Sequence, residues 1–86
     1  MTLPTIHLNG DTAQTLTDGY STAMIAVRDA IEVVCKTYPN GRNFYPQGPQ
    51  AITAAMEEHR SRLVRLEEIA KELEELAIHC DSFIKH

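Results

Sequence analysis

The residues best suited to bind a ligand lie in one loop, residues 38–48. Its sequence is Tyr38-Pro39-Asn40-Gly41-Arg42-Asn43-Phe44-Tyr45-Pro46-Gln47-Gly48, with three of the five aromatic residues of the chain and one arginine. The Arg42 guanidinium is a planar fork of donors that suits a carboxylate or a phosphate, and the neighbouring rings can stack on a flat ligand. Two helices can be joined by about 2–8 residues, so this longer loop indicates a task of its own. The candidate ligand-binding residues of the loop are Asn40, Arg42, Asn43, Phe44 and Tyr45.

A structural interpretation of the same loop is also open. Pro39-Asn40-Gly41 fits the later positions of a β-turn, which alone explains these three residues. Arg42 would then pair with a glutamate of the following helix, and the aromatic rings would plug the end of a helical bundle.

His59 is a further candidate because it occupies a position where the apolar pattern predicts leucine. Most such histidines are structural and are satisfied by one hydrogen bond. The functional alternative is that His59 faces a polar pocket, where the loop would bring Tyr45 or Gln47 close to it.

His7 and Asn9 form a second polar pair, in an N-terminal segment that alternates apolar and polar residues. Side chains two positions apart on an extended segment point to the same face. Such a pair can read a base edge or a ribose, or it can tie down the terminus.

Signatures of catalysis and of metal binding are missing from the sequence. There is no glycine-rich phosphate loop, no Gly-x-Ser-x-Gly and no His-Glu-x-x-His, and the histidines and cysteines lack metal-ligand spacing. We therefore predict a protein that is not an enzyme and has no catalytic residue, metal or cofactor. Cys35 and Cys80 lie near the ends of two helical patterns that would be at opposite poles of a hairpin, so we predict buried free thiols.

Composition narrows the class of protein. The 86 residues suffice for one domain, and a net charge of −4 argues against binding a nucleic acid polymer, which needs a basic face. No stretch approaches the roughly 20 apolar residues of a membrane span, and residues 1–11 do not resemble a signal peptide. We expect a cytoplasmic protein without a membrane partner.

Hydrophobic periodicity predicts the elements that position these residues. Residues 1–11 read as an extended segment closed by a turn at Asn9-Gly10, and Asp11 with Gln14 resembles a capping box. Helix 1 is predicted over residues 12–37 and helix 2 over 49–84, with Gly48 as cap and Pro49 at the first helical position. The predicted fold is all-α: a single domain, residues 1–86, in which two helices form an antiparallel hairpin behind the N-terminal segment.

The two predicted helices differ in length. At 1.5 Å per residue, helix 1 is about 37 Å long and helix 2 about 54 Å long. The overhanging end of helix 2, with Leu76, Cys80, Phe83 and Ile84, would expose apolar surface unless the N-terminal segment or another subunit covers it. We therefore predict a homo-oligomer that forms a helical bundle.

Three segments resemble small proteins encoded by tailed bacteriophages and prophages. They are Ile6-His7-Leu8-Asn9-Gly10, then residues 39–48, then Glu58-His59-Arg60-x-Arg62-Leu63. The resemblance covers nearly the whole chain. Where this chain has Asn43-Phe44-Tyr45, the proteins that it resembles have Asp-Tyr-Tyr or a similar trio. A role that needs an acid at position 43 or a hydroxyl at position 44 is therefore not expected in this chain.

The resemblance implies a compact, acidic accessory phage protein that works in the host cell cytoplasm, a setting in which counter-defence proteins are common. One interpretation is a sponge: an oligomer that sequesters a nucleotide-derived immune signal without cleaving it, through Arg42, the loop aromatics, His7, Asn9 and His59. The alternatives are a protein–protein inhibitor whose acidic helix face blocks a host defence protein, and a small virion assembly protein.

Overall fold

Two long helices dominate the computed structural model, which describes residues 1–85. Helix α1 spans Ala13–Cys35 and helix α2 spans Ala51–Asp81. They pack against each other as an antiparallel hairpin, with two 3₁₀ turns, Gly41–Asn43 and Tyr45–Gln47, in the loop between them. No strand occurs in the described residues, so the all-helical prediction is confirmed.

Helix α1 begins one residue later than predicted because Thr12, not Asp11, is its cap. The Oγ1 atom of Thr12 accepts a hydrogen bond from the N–H of Thr15 at 3.1 Å, which satisfies one of the free donors at the helix start. The helix ends at Cys35, two residues before the predicted end. There the hydroxyl of Thr37 donates to the carbonyl of Val34 at 2.7 Å and closes the last turn.

Helix α2 begins at Ala51, later than the predicted residue 49, because Pro49 and Gln50 form a turn ahead of it. It ends at Asp81, three residues before the predicted end. With 31 residues against 23, α2 is the longer helix, as expected.

The interface between the helices is built from small side chains. The buried apolar residues are Ala55, Ala70, Ala77 and Cys80, all on α2, whereas no residue of α1 is fully buried. Apolar residues recur every three or four positions from Leu16 to Val34 on α1 and from Ile52 to Ile84 on and beyond α2, and they form two stripes. The larger apolar residues of both stripes are only half-buried. Arg28 reaches across from α1 to Glu67 at 3.7 Å and Glu74 at 3.5 Å, and these exposed ion pairs add little stability. The hairpin is therefore a thin rod, 60 × 20 × 18 Å, with little core of its own.

The N-terminal segment lies against the far end of α2. The Nε2 atom of His79 donates to the carbonyl of Pro4 at 2.8 Å, and the ring of His79 packs edge-on against Phe83 at 5.2 Å. The predicted turn is present, since the N–H of Gly10 donates to the carbonyl of His7 at 3.2 Å. Cys80 is completely buried in this region. Cys35, in contrast, is exposed, so the prediction that both thiols are buried is wrong for Cys35.

Gly48 fixes the path of the chain from the loop into α2. Its φ of 107° and ψ of 167° lie in a region that only glycine adopts without strain. We expect Gly48→Ala to lower the free energy of unfolding by about 1–2 kcal/mol in urea denaturation. Gly41→Ala is the matched control, because an added Cβ there meets no atom within 4 Å and φ is not positive. Equal losses in both variants would show that the conformation of Gly48 carries no special cost.

Candidate functional site

A pocket of about 370 Å³ lies at the loop end of the hairpin, between the loop and the first turns of α2. Its walls combine two aromatic rings, two side-chain amides, a carboxylate and a guanidinium. The lining residues are Thr37, Tyr38, Pro39, Asn40, Asn43, Phe44, Ala55, Glu58 and Arg62.

The loop wall is held by short-range hydrogen bonds. The Oδ1 atom of Asn40 accepts from the N–H of Arg42 at 3.0 Å, and the carbonyl of Asn40 accepts from the N–H of Asn43 at 2.9 Å. These bonds form the first 3₁₀ turn, and the N–H of Phe44 continues it by donating to the carbonyl of Gly41 at 3.0 Å. The turn brings Asn40, Asn43 and Phe44 to the pocket.

The helical wall follows from the geometry of α2. Ala55, Glu58 and Arg62 are spaced by three and four residues, so they lie along one face of the helix. Ala55 is buried and lets the loop approach, whereas the two charged side chains are exposed beside it.

Three of the five loop residues predicted to bind a ligand line the pocket: Asn40, Asn43 and Phe44. Arg42 and Tyr45 are exposed near it but do not form its walls, and Tyr45 is 76% exposed. Arg42 forms no ion pair with a glutamate within the described residues, so the pairing expected in the structural interpretation is not seen there.

His59 lies behind the pocket wall. It is 2% exposed, and its ring packs edge-on against Tyr38 with 5.4 Å between ring centres. The ring contact seen in the structure is with Tyr38, and the expected approach to Tyr45 or Gln47 stays a prediction. The Nε2 atom of His59 is buried without a hydrogen-bond partner among the described residues, which differs from the satisfied structural histidine that is usual.

His7 and Asn9 lie at the opposite end of the hairpin. The segment that contains them is tied to His79, which is 20 residues beyond His59 on α2, about 30 Å at 1.5 Å per residue. They belong to the turn closed by Gly10 and not to a strand, so the expected alternation does not apply. Within one chain, His7 and Asn9 do not join the pocket.

Several wall residues were not among the predicted ligand-binding residues: Thr37, Tyr38, Pro39, Ala55, Glu58 and Arg62. A signal for Glu58 and Arg62 was present in the sequence, because they lie one residue before and three residues after the candidate His59 on α2. Their spacing of four residues usually favours a surface ion pair. Here their side chains form neither an ion pair nor a hydrogen bond with any residue from 1 to 85.

The arrangement can bind a polar, flat ligand by stacking, hydrogen bonding and charge. Within residues 1–85, no group of three or more His, Cys, Asp or Glu is placed to hold a metal ion. Over the same residues, neither helix is long and apolar enough to cross a membrane. The chain matches no family model, no curated protein and no solved structure.

Proposed function

We propose that this protein is a phage counter-defence sponge, which binds a nucleotide-derived immune signalling molecule in the host cytoplasm and holds it without cleaving it. The loop-end pocket is the binding site in this proposal. The protein acts as a homo-oligomer, and sequestration needs affinity but no reaction.

The observation that carries the proposal is the combination of groups in one pocket. Phe44 and Tyr38 bring aromatic rings to the pocket, and stacking of a base on an aromatic side chain contributes about 1–3 kcal/mol. Arg62 in the wall and Arg42 beside it offer guanidinium groups for phosphate, and neither is neutralised by an ion pair within the described residues. A volume of about 370 Å³ is within the range of small-molecule sites.

An oligomer also gives His7 and Asn9 a place in the site. They lie about 30 Å from the pocket within one chain, so another copy would have to supply them. The half-buried apolar stripes of the hairpin supply surface on which copies can associate.

Native mass spectrometry tests the proposal. The protein is purified from cells with and without an activated nucleotide-signalling defence system, and we expect an oligomer that carries an added mass of a few hundred daltons per site only in the first case. The Arg42→Ala variant should lose the added mass. The substitution removes a charge-assisted bond to phosphate, and we expect it to weaken binding of the ligand by at least about 100-fold.

Arg60→Ala is the matched control, since Arg60 is an exposed arginine outside the walls on α2, whereas Arg42 lies in the loop between the wall residues Asn40 and Asn43. It should keep the added mass. Circular dichroism should give the same helix content for both variants. If Arg42→Ala unfolds the protein, Arg42 is structural, and if the wild type carries no added mass under either condition, the sponge proposal fails.

A second function is favoured by the outer surface of α2. Glu68, Glu72 and Glu75 are exposed there and form no ion pair within the described residues. This acidic face suits a basic surface of a host defence protein, which the protein would inhibit by binding. An oligomer without added mass in both mass spectra would favour this function. Charge reversal of these three glutamates should then abolish inhibition of the host defence protein.

A further inference from the structure

Glu58 and Arg62 present opposite charges to one pocket without satisfying each other. Both line the wall at a separation of one helical turn, where neighbouring Cβ atoms are about 5–6 Å apart. Neither side chain forms an ion pair or hydrogen bond with another residue between 1 and 85. A ligand that occupies the pocket therefore meets an acceptor and a cation side by side.

This inference rests on the proposed function and adds base specificity to it. We propose that the Glu58 carboxylate selects a base with two adjacent N–H donors on one edge, as in guanine, while Arg62 binds a phosphate of the same ligand. Glu58 is then a specificity-determining residue of the pocket.

The chemistry of a carboxylate favours guanine over adenine. An ionised carboxylate is an acceptor only, and its two oxygens match the ring N–H and the exocyclic amino group that guanine presents together. Adenine presents its amino group next to a ring nitrogen with a lone pair, which a carboxylate repels.

Of the two side-chain amides in the wall, Asn40 is partly engaged. An asparagine binds adenine through one donor and one acceptor together. In Asn40 the Oδ1 atom already accepts from the N–H of Arg42 at 3.0 Å, which uses one of its two lone pairs. Asn43 is the competing reader of a base, and Glu58 differs from it in carrying a full charge and in only accepting hydrogen bonds.

The test is a pair of NMR titrations with guanosine 5′-monophosphate and adenosine 5′-monophosphate, which differ only in the base. We expect the wild-type protein to bind the guanine nucleotide about 10- to 100-fold more tightly, the discrimination typical of one bidentate contact. Glu58→Gln should remove or reverse that preference, because glutamine has one donor and one acceptor and suits adenine.

Glu57→Gln is the matched control, as Glu57 is an adjacent exposed glutamate that does not line the pocket. It should keep the guanine preference. Equal affinity for both nucleotides, or a preference unchanged by Glu58→Gln, would overturn the inference while leaving the proposed function intact. If neither nucleotide shifts any resonance of the pocket, the proposed function fails, and the inference fails with it.

Discussion

Ala70→Leu should destabilise the hairpin by about 3 kcal/mol. Ala70 is completely buried at the middle of the contact between α1 and α2. Three extra carbon atoms at this position have no space, so the helices must separate or the leucine must adopt a strained rotamer, and overpacking of this kind costs about 1–3 kcal/mol. Separation would also expose the half-buried stripes on either side, which places the effect at the upper end of that range. Urea denaturation followed by circular dichroism measures the loss.

Ala54→Leu provides the matched comparison for Ala70→Leu. Ala54 lies on the same helix but is exposed, and alanine and leucine have similar helix propensity. We expect its free energy of unfolding to stay within about 0.5 kcal/mol of the wild type. A similar loss in both variants would mean that the substitution acts through the helix itself and not through the contact between helices.

Both helices could be predicted from the sequence because apolar residues recur at every turn along each of them. Residues from Leu16 to Val34 and from Ile52 to Ile84 that follow the three-and-four spacing are buried or half-buried. The ends were less predictable. Thr12 and Asp11 are both good caps, and only the path of the backbone decides which side chain reaches the free N–H of Thr15.

The pocket was only partly predictable, since periodicity tells which face of a helix is apolar and not which segment lies opposite. The composition of the loop pointed to Asn40, Asn43 and Phe44, which line the pocket. It could not show that a 3₁₀ turn leaves Arg42 exposed outside the walls. In the sequence, Glu58 and Arg62 have the spacing of an ordinary surface ion pair. They line a pocket only because the folded loop lies opposite them.

The amount of surface left in water supports self-association. A compact monomer of 9.6 kDa exposes about 5100 Å², whereas this hairpin exposes 6468 Å². The radius of gyration, 18.7 Å, likewise exceeds the roughly 12 Å of a compact chain of this length. The excess of about 1400 Å² is more than the roughly 800 Å² that each partner buries in a standard interface. Ile25, Val33, Val64 and Ile78 are each more than half exposed along the rod, so much of this surface is apolar.

The thermal unfolding midpoint should therefore rise with protein concentration. If two copies unfold together into free chains, a hundredfold increase in concentration stabilises the folded form by about 2.7 kcal/mol, which raises the midpoint by roughly 5–10 °C. Circular dichroism at about 1 µM and about 100 µM measures the shift, with sedimentation velocity as a check on size. A midpoint that is the same at both concentrations would show that the thin core holds one chain by itself. The sponge would then have to bind within a single hairpin, and His7 and Asn9 would have no part in its site.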